Sequence, residues 1–365
     1  MQAKKFVEEL SGIGIDTFVG VPDSLMSSLS KHLELSKNSN TSHKILHNEG
    51  GAVGYAIGKF IANKKISAVY LQNSGLGNII NPITSLTNDD VFSIPILYII
   101  GWRGEPGVKD EPQHTFQGKI TLDLLNLLDI QYSILNSEED LNLKEVQNSL
   151  ASNRSYALIV KKDFFDKDNR TFEQNENELT RFEVLKKLYE SYNENTLFVS
   201  TTGKTSRELY EITKEFEFSR TFFSVGGMGH TSSISLGLVE NSKENQVVCF
   251  DGDGSFLMHM GAIALIGASK VKNLHYILLN NYSHESVGGQ PTIAKEINFK
   301  KVSEAYNFDQ YILISNRDEM KLFAENLEDT KNKKTFVEIK IDTFSDSNLP
   351  RPNLSPKEYL QKFKA

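Results

Sequence analysis

Residues 247–255 read VVCFDGDGS and residues 274–281 read LHYILLNN. Each begins as a short run of β-branched, aromatic and aliphatic side chains, the composition of a parallel strand buried on both faces. Each run then stops on polar or small residues: Asp251-Gly252-Asp253-Gly254-Ser255 after the first, Asn280-Asn281 after the second. Between them Leu257, Met260, Ala262 and Leu265 predict a helix. Strand, helix and strand in that order form a right-handed parallel unit, and both polar ends then fall on the carboxyl edge of the sheet, where doubly wound folds bind ligands. Gly252 and Gly254 let a backbone approach phosphate oxygens, with Ser255 beside them. Asp253 and the Asn281 amide offer hard oxygen ligands of the kind magnesium prefers when it shares itself between protein and phosphate.

The same rhythm extends in both directions. Upstream and downstream of that unit, Leu197 to Thr201, Thr221 to Val225, Tyr311 to Ser315 and Thr335 to Ile341 are strand candidates. In the first half, Asp16 to Val21, Ser67 to Leu71, Ile94 to Ile100 and Tyr156 to Val160 alternate with helical periodicity. Asp23 or Ser24 is the expected N-cap of a helix carrying Leu25, Leu29 and Leu33, and Leu122, Leu125 and Leu128 mark another. Residues 166–181 are polar and carry no strand pattern. The predicted fold class is therefore α/β, with two doubly wound parallel-sheet domains of similar architecture, 1–165 and 182–365, joined by a linker at 166–181. A length of 365 residues fits two domains at roughly 150 residues each.

Composition excludes several classes of function. The net charge of −7 is spread along the chain and leaves no basic face for nucleic acid. The single cysteine, Cys249, cannot close an intrachain disulfide. Lys4, Lys5, Glu8 and Glu9 interrupt any signal-peptide pattern, so a cytoplasmic protein is expected. The longest apolar run, Val91 to Trp102, is broken by Ser93 and Pro95 and falls short of the ~18 residues of a membrane span.

Two nucleotide motifs fail. Gly12-Ile13-Gly14, Gly75-Leu76-Gly77 and Gly227-Met228-Gly229 place Thr17, Ile80 and Ser232 where a dinucleotide fingerprint needs its third glycine. Gly203-Lys204-Thr205 follows a strand, yet the first glycine of a phosphate-binding Walker loop is replaced by Phe198.

The pairing of Gly252-Asp253-Gly254 with Asn280-Asn281 resembles the metal and diphosphate motif of thiamine-diphosphate enzymes. A second segment, His47-Asn48-Glu49-Gly50-Gly51-Ala52-Val53-Gly54-Tyr55-Ala56, is similar to the same family's glutamate motif. The resemblance implies that 1–165 is the pyrimidine-binding domain and 182–365 the diphosphate-binding domain, with thiamine diphosphate and Mg2+ as cofactors. It implies that Glu49 promotes loss of the cofactor's C2 proton, that Asp253, Asn281 and the Ser283 carbonyl hold the metal, and that Gly227 and Met228 contact the cofactor. It also implies at least a homodimer, with the active site between subunits.

The chain leaves no room for the third domain of larger family members. Five long segments, 20–24, 101–114, 202–208, 227–230 and 284–292, resemble the short two-domain phosphonopyruvate decarboxylases, which turn a 2-oxo acid with its phosphonate into an aldehyde and carbon dioxide. Such a substrate carries two anionic groups, and Arg103, Lys109, Lys204 and Arg207 are the candidate cations, with Asp23 and Ser24 beside them. His114 and His284 are the candidate proton carriers, because an ordinary imidazole titrates near neutrality. The sulfopyruvate decarboxylases are the alternative, and a thiamine-diphosphate-binding subunit that needs a partner is another.

Overall fold

Buried apolar runs and edge strands of mixed polarity build two all-parallel sheets. The computed structural model describes residues 1–36, 40–214, 220–242, 244–345, 349 and 355–363. By its contacts the chain divides into one unit of Met1–Phe172 with His284–Gln290, and another of Glu173–Ser283 with Pro291–Ala365. The first change of unit falls inside the polar stretch 166–181. The short return of His284–Gln290 to the first unit is not readable from local pattern, because it depends on tertiary contacts.

The first unit runs α1 (Ala3–Gly12), β1 (Thr17–Gly20), α2 (Ser27–Leu35), β2 (Ser42–Ile45), α3 (Glu49–Asn63), β3 (Ala68–Gln72), α4 (Leu76–Pro82), β4 (Leu97–Gly101), α5 (Pro112–Leu127), β5 (Gln131–Leu135), α6 (Leu143–Ala151) and β6 (Tyr156–Val160). Its sheet order is β2-β1-β3-β4-β6-β5, with every pairing parallel. Side chains alternate between two cores: in β3, Ala68 and Tyr70 join Phe6, Phe18 and Leu158 on one face, while Val69 and Leu71 join Val53, Tyr98 and Ile159 on the other. Both faces are covered, as a parallel sheet requires.

The second unit begins with α7 (Arg181–Ser191), β7 (Thr196–Ser200), α8 (Lys204–Thr213), β8 (Thr221–Phe223), α9 (Thr231–Asn241) and β9 (Gln246–Gly252). It continues through α10 (Asp253–Met258), α11 (Gly261–Ala268) and β10 (Leu274–Asn280); the two-residue strands β11 (Ser283–His284) and β12 (Gln290–Pro291) mark where the chain passes to the first unit and returns. It ends with α12 (Phe299–Ala305), β13 (Gln310–Ile314), α13 (Arg317–Glu325), β14 (Lys334–Lys340) and α14 (Pro356–Lys362). Its main sheet order, β8-β7-β9-β10-β14-β13, repeats that of the first sheet strand for strand. In each sheet the order reverses between the first and third strands, so the switch-point crevices open beyond β1 and β3 in one unit and beyond β7 and β9 in the other.

Three expectations need correction. The helix expected from Asp23 begins at Ser27: Asp23 lies in the irregular segment three residues past β1, and its carboxylate accepts from the Leu25 N–H at 3.1 Å in a turn. The single helix expected through Leu257, Met260, Ala262 and Leu265 is two, because His259 leaves helical geometry at φ −136°, ψ 48°. Leu265 consequently faces solvent. Strands β2 and β5 carry no predicted run, since Ser42-His43-Lys44-Ile45 and Gln131-Tyr132-Ser133-Ile134-Leu135 are half-exposed edges with polar alternation. No helix among the described residues is long and apolar enough to cross a membrane.

Gly20, the last residue of β1, packs against the Tyr70 backbone so closely that a Cβ there would lie 2.0 Å from the Tyr70 carbonyl oxygen. Neither strand can retreat without breaking the ladder. Gly20→Ala is therefore expected to destabilise the protein by about 3 kcal/mol or more, as overpacking against backbone does, and urea unfolding measures it.

Candidate active site

The first unit gathers its candidate residues on loops at the carboxyl edge. Asn48 caps α3, its side-chain oxygen accepting from the Gly51 N–H at 2.7 Å, and the helix dipole favours an acid in the first turn, where Glu49 sits. Glu49 is nevertheless buried, at 5% exposure. Among the described residues its carboxylate accepts one hydrogen bond, from the Asn78 side-chain amide to Oε2 at 2.6 Å. Gly75 lies against it: a Cβ there would come within 2.5 Å of Glu49 Oε1.

The loop from Gly101 to Gly118 is a built structure. Gly104 adopts φ +69°, and a Cβ there would lie 2.0 Å from the His114 carbonyl oxygen. Trp102 Nε1 donates to the Gly118 carbonyl at 2.9 Å. Asp110 closes the loop by accepting from Arg103 Nε at 2.8 Å, Arg103 NH2 at 2.5 Å, the Gly104 N–H at 2.8 Å and the Glu111 N–H at 2.7 Å. Burial opposes the charge on Asp110, but the Arg103 fork and these backbone donors outweigh it and hold the carboxyl well below the usual range. Arg103 spends its third nitrogen on Ser24, NH1 donating to the hydroxyl at 2.7 Å. Its backbone is pinned by Asn73, whose Nδ2 donates to the Arg103 carbonyl at 2.8 Å and whose Oδ1 accepts from the Arg103 N–H at 3.2 Å.

Asp23 is fully buried in the loop that follows β1. Burial pushes its pKa up to about 6 against the pull of the Arg103 charge, and Oδ1 has no hydrogen-bond partner. Asp23, Ser24 and Arg103 thus share one cluster, while Lys109 is exposed on the loop. His114 is buried, and desolvation followed by the Arg103 charge lowers its pKa; desolvation alone pushes His284 down to about 4. Both shifts favour the neutral imidazole over the imidazolium.

In the second unit the diphosphate and metal candidates follow the carboxyl ends of the adjacent strands β9 and β10. Register pairs Leu279 with Gly252, so Asp253 and Asn281 leave adjacent strand ends. Asp253 is 2% exposed and accepts from the Thr292 hydroxyl at 2.5 Å. Burial pushes its pKa up to about 7 despite that donor and the Gly254 N–H, and no cationic side chain among the described residues pairs with it. Asn281 Oδ1 accepts from the Ser283 N–H at 3.0 Å, and its carbonyl accepts from Asn175 Nδ2 at 2.7 Å. Between them Tyr282 adopts φ +59°, a conformation that favours glycine.

Ser255 ties three segments together: its hydroxyl accepts from Thr201 Oγ1 at 3.1 Å and from the Gly229 N–H at 3.0 Å. The Gly227-Met228 turn is thereby anchored to the glycine-rich turn after β9. Lys204 opens α8 after Gly203, which adopts φ +87°, and Arg207 follows one turn later, half-buried. Asn73, Asn78 and Thr201 carry no functional motif in the sequence, and Asp110 and Thr292 fall within the segments 101–114 and 284–292 without a role of their own. The stretch holding Asn73 and Asn78 had stood out only as a failed glycine motif.

Two family models match this chain: the thiamine pyrophosphate enzyme N-terminal TPP binding domain over residues 2–127, and the C-terminal TPP binding domain over residues 199–341. A phosphonopyruvate decarboxylase of Streptomyces viridochromogenes is 31% identical, covering 100% of this chain and 94% of that protein. The chain belongs to the thiamine pyrophosphate-dependent decarboxylases. Another phosphonopyruvate decarboxylase, from Streptomyces hygroscopicus, is 30% identical over 100% of this chain and 93% of its own length. A sulfopyruvate decarboxylase of Methanosarcina acetivorans is 25% identical over 99% of this chain and 96% of its own.

Membership in that decarboxylase family asks whether these residues fit the thiamine pyrophosphate cofactor and a divalent ion. They do. Asp253 is a buried carboxylate that no cationic side chain among the described residues pairs with, and the Asn281 amide follows the end of the neighbouring strand, which is a donor set suited to an oxygen-loving divalent ion. In the other unit Glu49 is a buried acid lying against Gly75, where the absence of a side chain leaves it room. Asp253→Ala is expected to weaken magnesium and thiamine diphosphate binding together by about 100-fold, the scale of a lost ligand environment. Calorimetric titration of the two checks this, and unchanged affinity removes Asp253 from the metal shell.

Proposed function

We propose that this chain catalyses the non-oxidative decarboxylation of 3-phosphonopyruvate to phosphonoacetaldehyde and carbon dioxide, using thiamine diphosphate and Mg2+, as a cytoplasmic enzyme of phosphonate biosynthesis. The observation that carries the proposal is full-length similarity, 31% and 30%, to two phosphonopyruvate decarboxylases. When bound, thiamine diphosphate supplies the carbon nucleophile for the 2-oxo group and the electron sink for loss of carbon dioxide.

The chain's own residues supply the rest. Glu49 moves a proton at its carboxylate, in a buried position that keeps bulk water from competing. Asp253, Asn281 and the Ser283 carbonyl hold the metal, while Gly252, Gly254 and Ser255 leave room for a diphosphate, and Gly227 with Met228 lines the cofactor. Arg103, held by Asp110, orients Ser24 and lends its charge to the Asp23 cluster. Lys109, Lys204 and Arg207 are the cations proposed to meet carboxylate and phosphonate. His114 and His284, whose burial favours the neutral imidazole, accept and donate through their two ring nitrogens.

The reading includes a homodimer or higher oligomer with the active site between subunits. Support comes from exposed apolar residues near Glu49 and Asn78 in the sequence: Tyr55 on α3, Ile80 on α4, then Leu86, Val91 and Phe92. Both binding domains lie on one chain, which supports turnover without a second kind of polypeptide.

The sulfopyruvate reading rests on 25% identity over 99% of the chain. Aldehyde formation from phosphonopyruvate, sulfopyruvate and pyruvate, measured side by side on purified protein with both cofactors, separates them. Phosphonopyruvate is expected to be the preferred substrate; preference for another, or no carbon dioxide until a second polypeptide is added, contradicts the proposal. Glu49→Gln is expected to lower turnover at least about 100-fold, the low end of general acid–base effects, with cofactor affinity nearly unchanged.

A further inference from the structure

Glu49 is a buried acid whose only hydrogen-bond partner among the described residues is a neutral amide. The short stretch from Asn73 to Asn78 makes that pairing. It begins by fixing the Arg103 backbone through Asn73 and ends by donating from Asn78 to Glu49 Oε2 at 2.6 Å. Two glycines make the approach possible. A Cβ on Gly50 would lie 3.0 Å from the Asn78 carbonyl oxygen, and one on Gly75 would lie 2.5 Å from Glu49 Oε1. The first lets α4 come down onto α3; the second leaves space for the carboxyl itself.

A carboxylate can only accept, so the Asn78 amide must present its NH2 to Oε2 and turn its own oxygen away. That bond fixes the torsion of the carboxyl and occupies one oxygen, while Oε1 keeps both lone pairs for proton transfer. A lysine or arginine in this place would bind the carboxylate more tightly and take away its basicity. A neutral donor orients the acid without that loss.

We propose that Asn78 is a positioning residue for the proton transfer at Glu49, holding Oε2 so that Oε1 faces the cofactor's pyrimidine ring. The proposal rests on the reading of Glu49 given above. Asn78 is exposed and lies on the first turn of a short helix, so its replacement leaves the core intact.

The test uses the full-length protein loaded with thiamine diphosphate and Mg2+. Exchange of the cofactor's C2 proton for deuterium is followed by acid quench and proton NMR, with cofactor affinity measured separately by calorimetry. Glu49→Gln is expected to abolish the accelerated exchange. Asn78→Ala should slow it about 10-fold, part of the roughly 10²-fold that misplacing a reacting group costs, with cofactor affinity within about 2-fold of the parent. Asn78→Asp, the same shape with the donor replaced by a second carboxylate, should slow it further. Normal exchange in Asn78→Ala overturns the proposal while leaving Glu49 in its role. Loss of exchange and of affinity in equal measure also overturns it, by showing a structural role only. Normal exchange in Glu49→Gln removes the reading of Glu49, and the proposal goes with it.

Discussion

Carboxylates buried without a protein cation are the constraint on which this molecule turns. Glu49 and Asp253 each sit at 5% exposure or less, and neither is paired with a lysine or arginine among the described residues. Left alone, such a group raises its pKa or stays unsatisfied, and either outcome works against folding. A protein keeps carboxylates in such places when a ligand completes them. On the proposed reading, a divalent ion would do so for Asp253, and the cofactor's ring nitrogen for Glu49. Asp23 shows the third case, a buried acid half-compensated by Arg103 and left with one oxygen unpartnered.

The fold explains why those acids stand where they do. Parallel strands end on one edge, and each sheet has the order first-strand-beside-third that opens a crevice between them. The two units share this topology and diverge in what the crevice contains. Beyond β1 and β3 stand Asp23 and Asn73, which serve the Arg103 loop. Beyond β7 and β9 stand Thr201 and the Gly252-Asp253-Gly254 turn, joined through Ser255. One architecture is thus used twice, and the difference in chemistry lies in the loops rather than in the sheets.

Much of this was legible in the sequence because it is local. The central strands announce themselves as continuous apolar runs, and the segments proposed for metal and cofactor, Gly252-Asp253-Gly254, Asn280-Asn281 and the Glu49 stretch, are short strings whose residue types carry their own chemistry. The edge strands β2 and β5 were not legible, since half-exposed strands alternate with polar residues and resemble loops. The break at His259 was hidden because helical periodicity continues across it. Asn73, Asn78 and Asp110 act through partners distant in sequence or through loop closure, which no spacing rule records. Asp110 also changes the meaning of Arg103, whose fork is already filled by a carboxylate and is therefore a scaffold for Ser24 more than an open anion receptor.

The most direct measurement is an experimental structure of the assembled protein with thiamine diphosphate and magnesium bound. The account predicts the Glu49 carboxyl within hydrogen-bond distance of the cofactor's pyrimidine nitrogen, and the magnesium ion coordinated by Asp253 and Asn281 together with the diphosphate. A Glu49 carboxyl turned to solvent, or a metal held by other side chains, contradicts it.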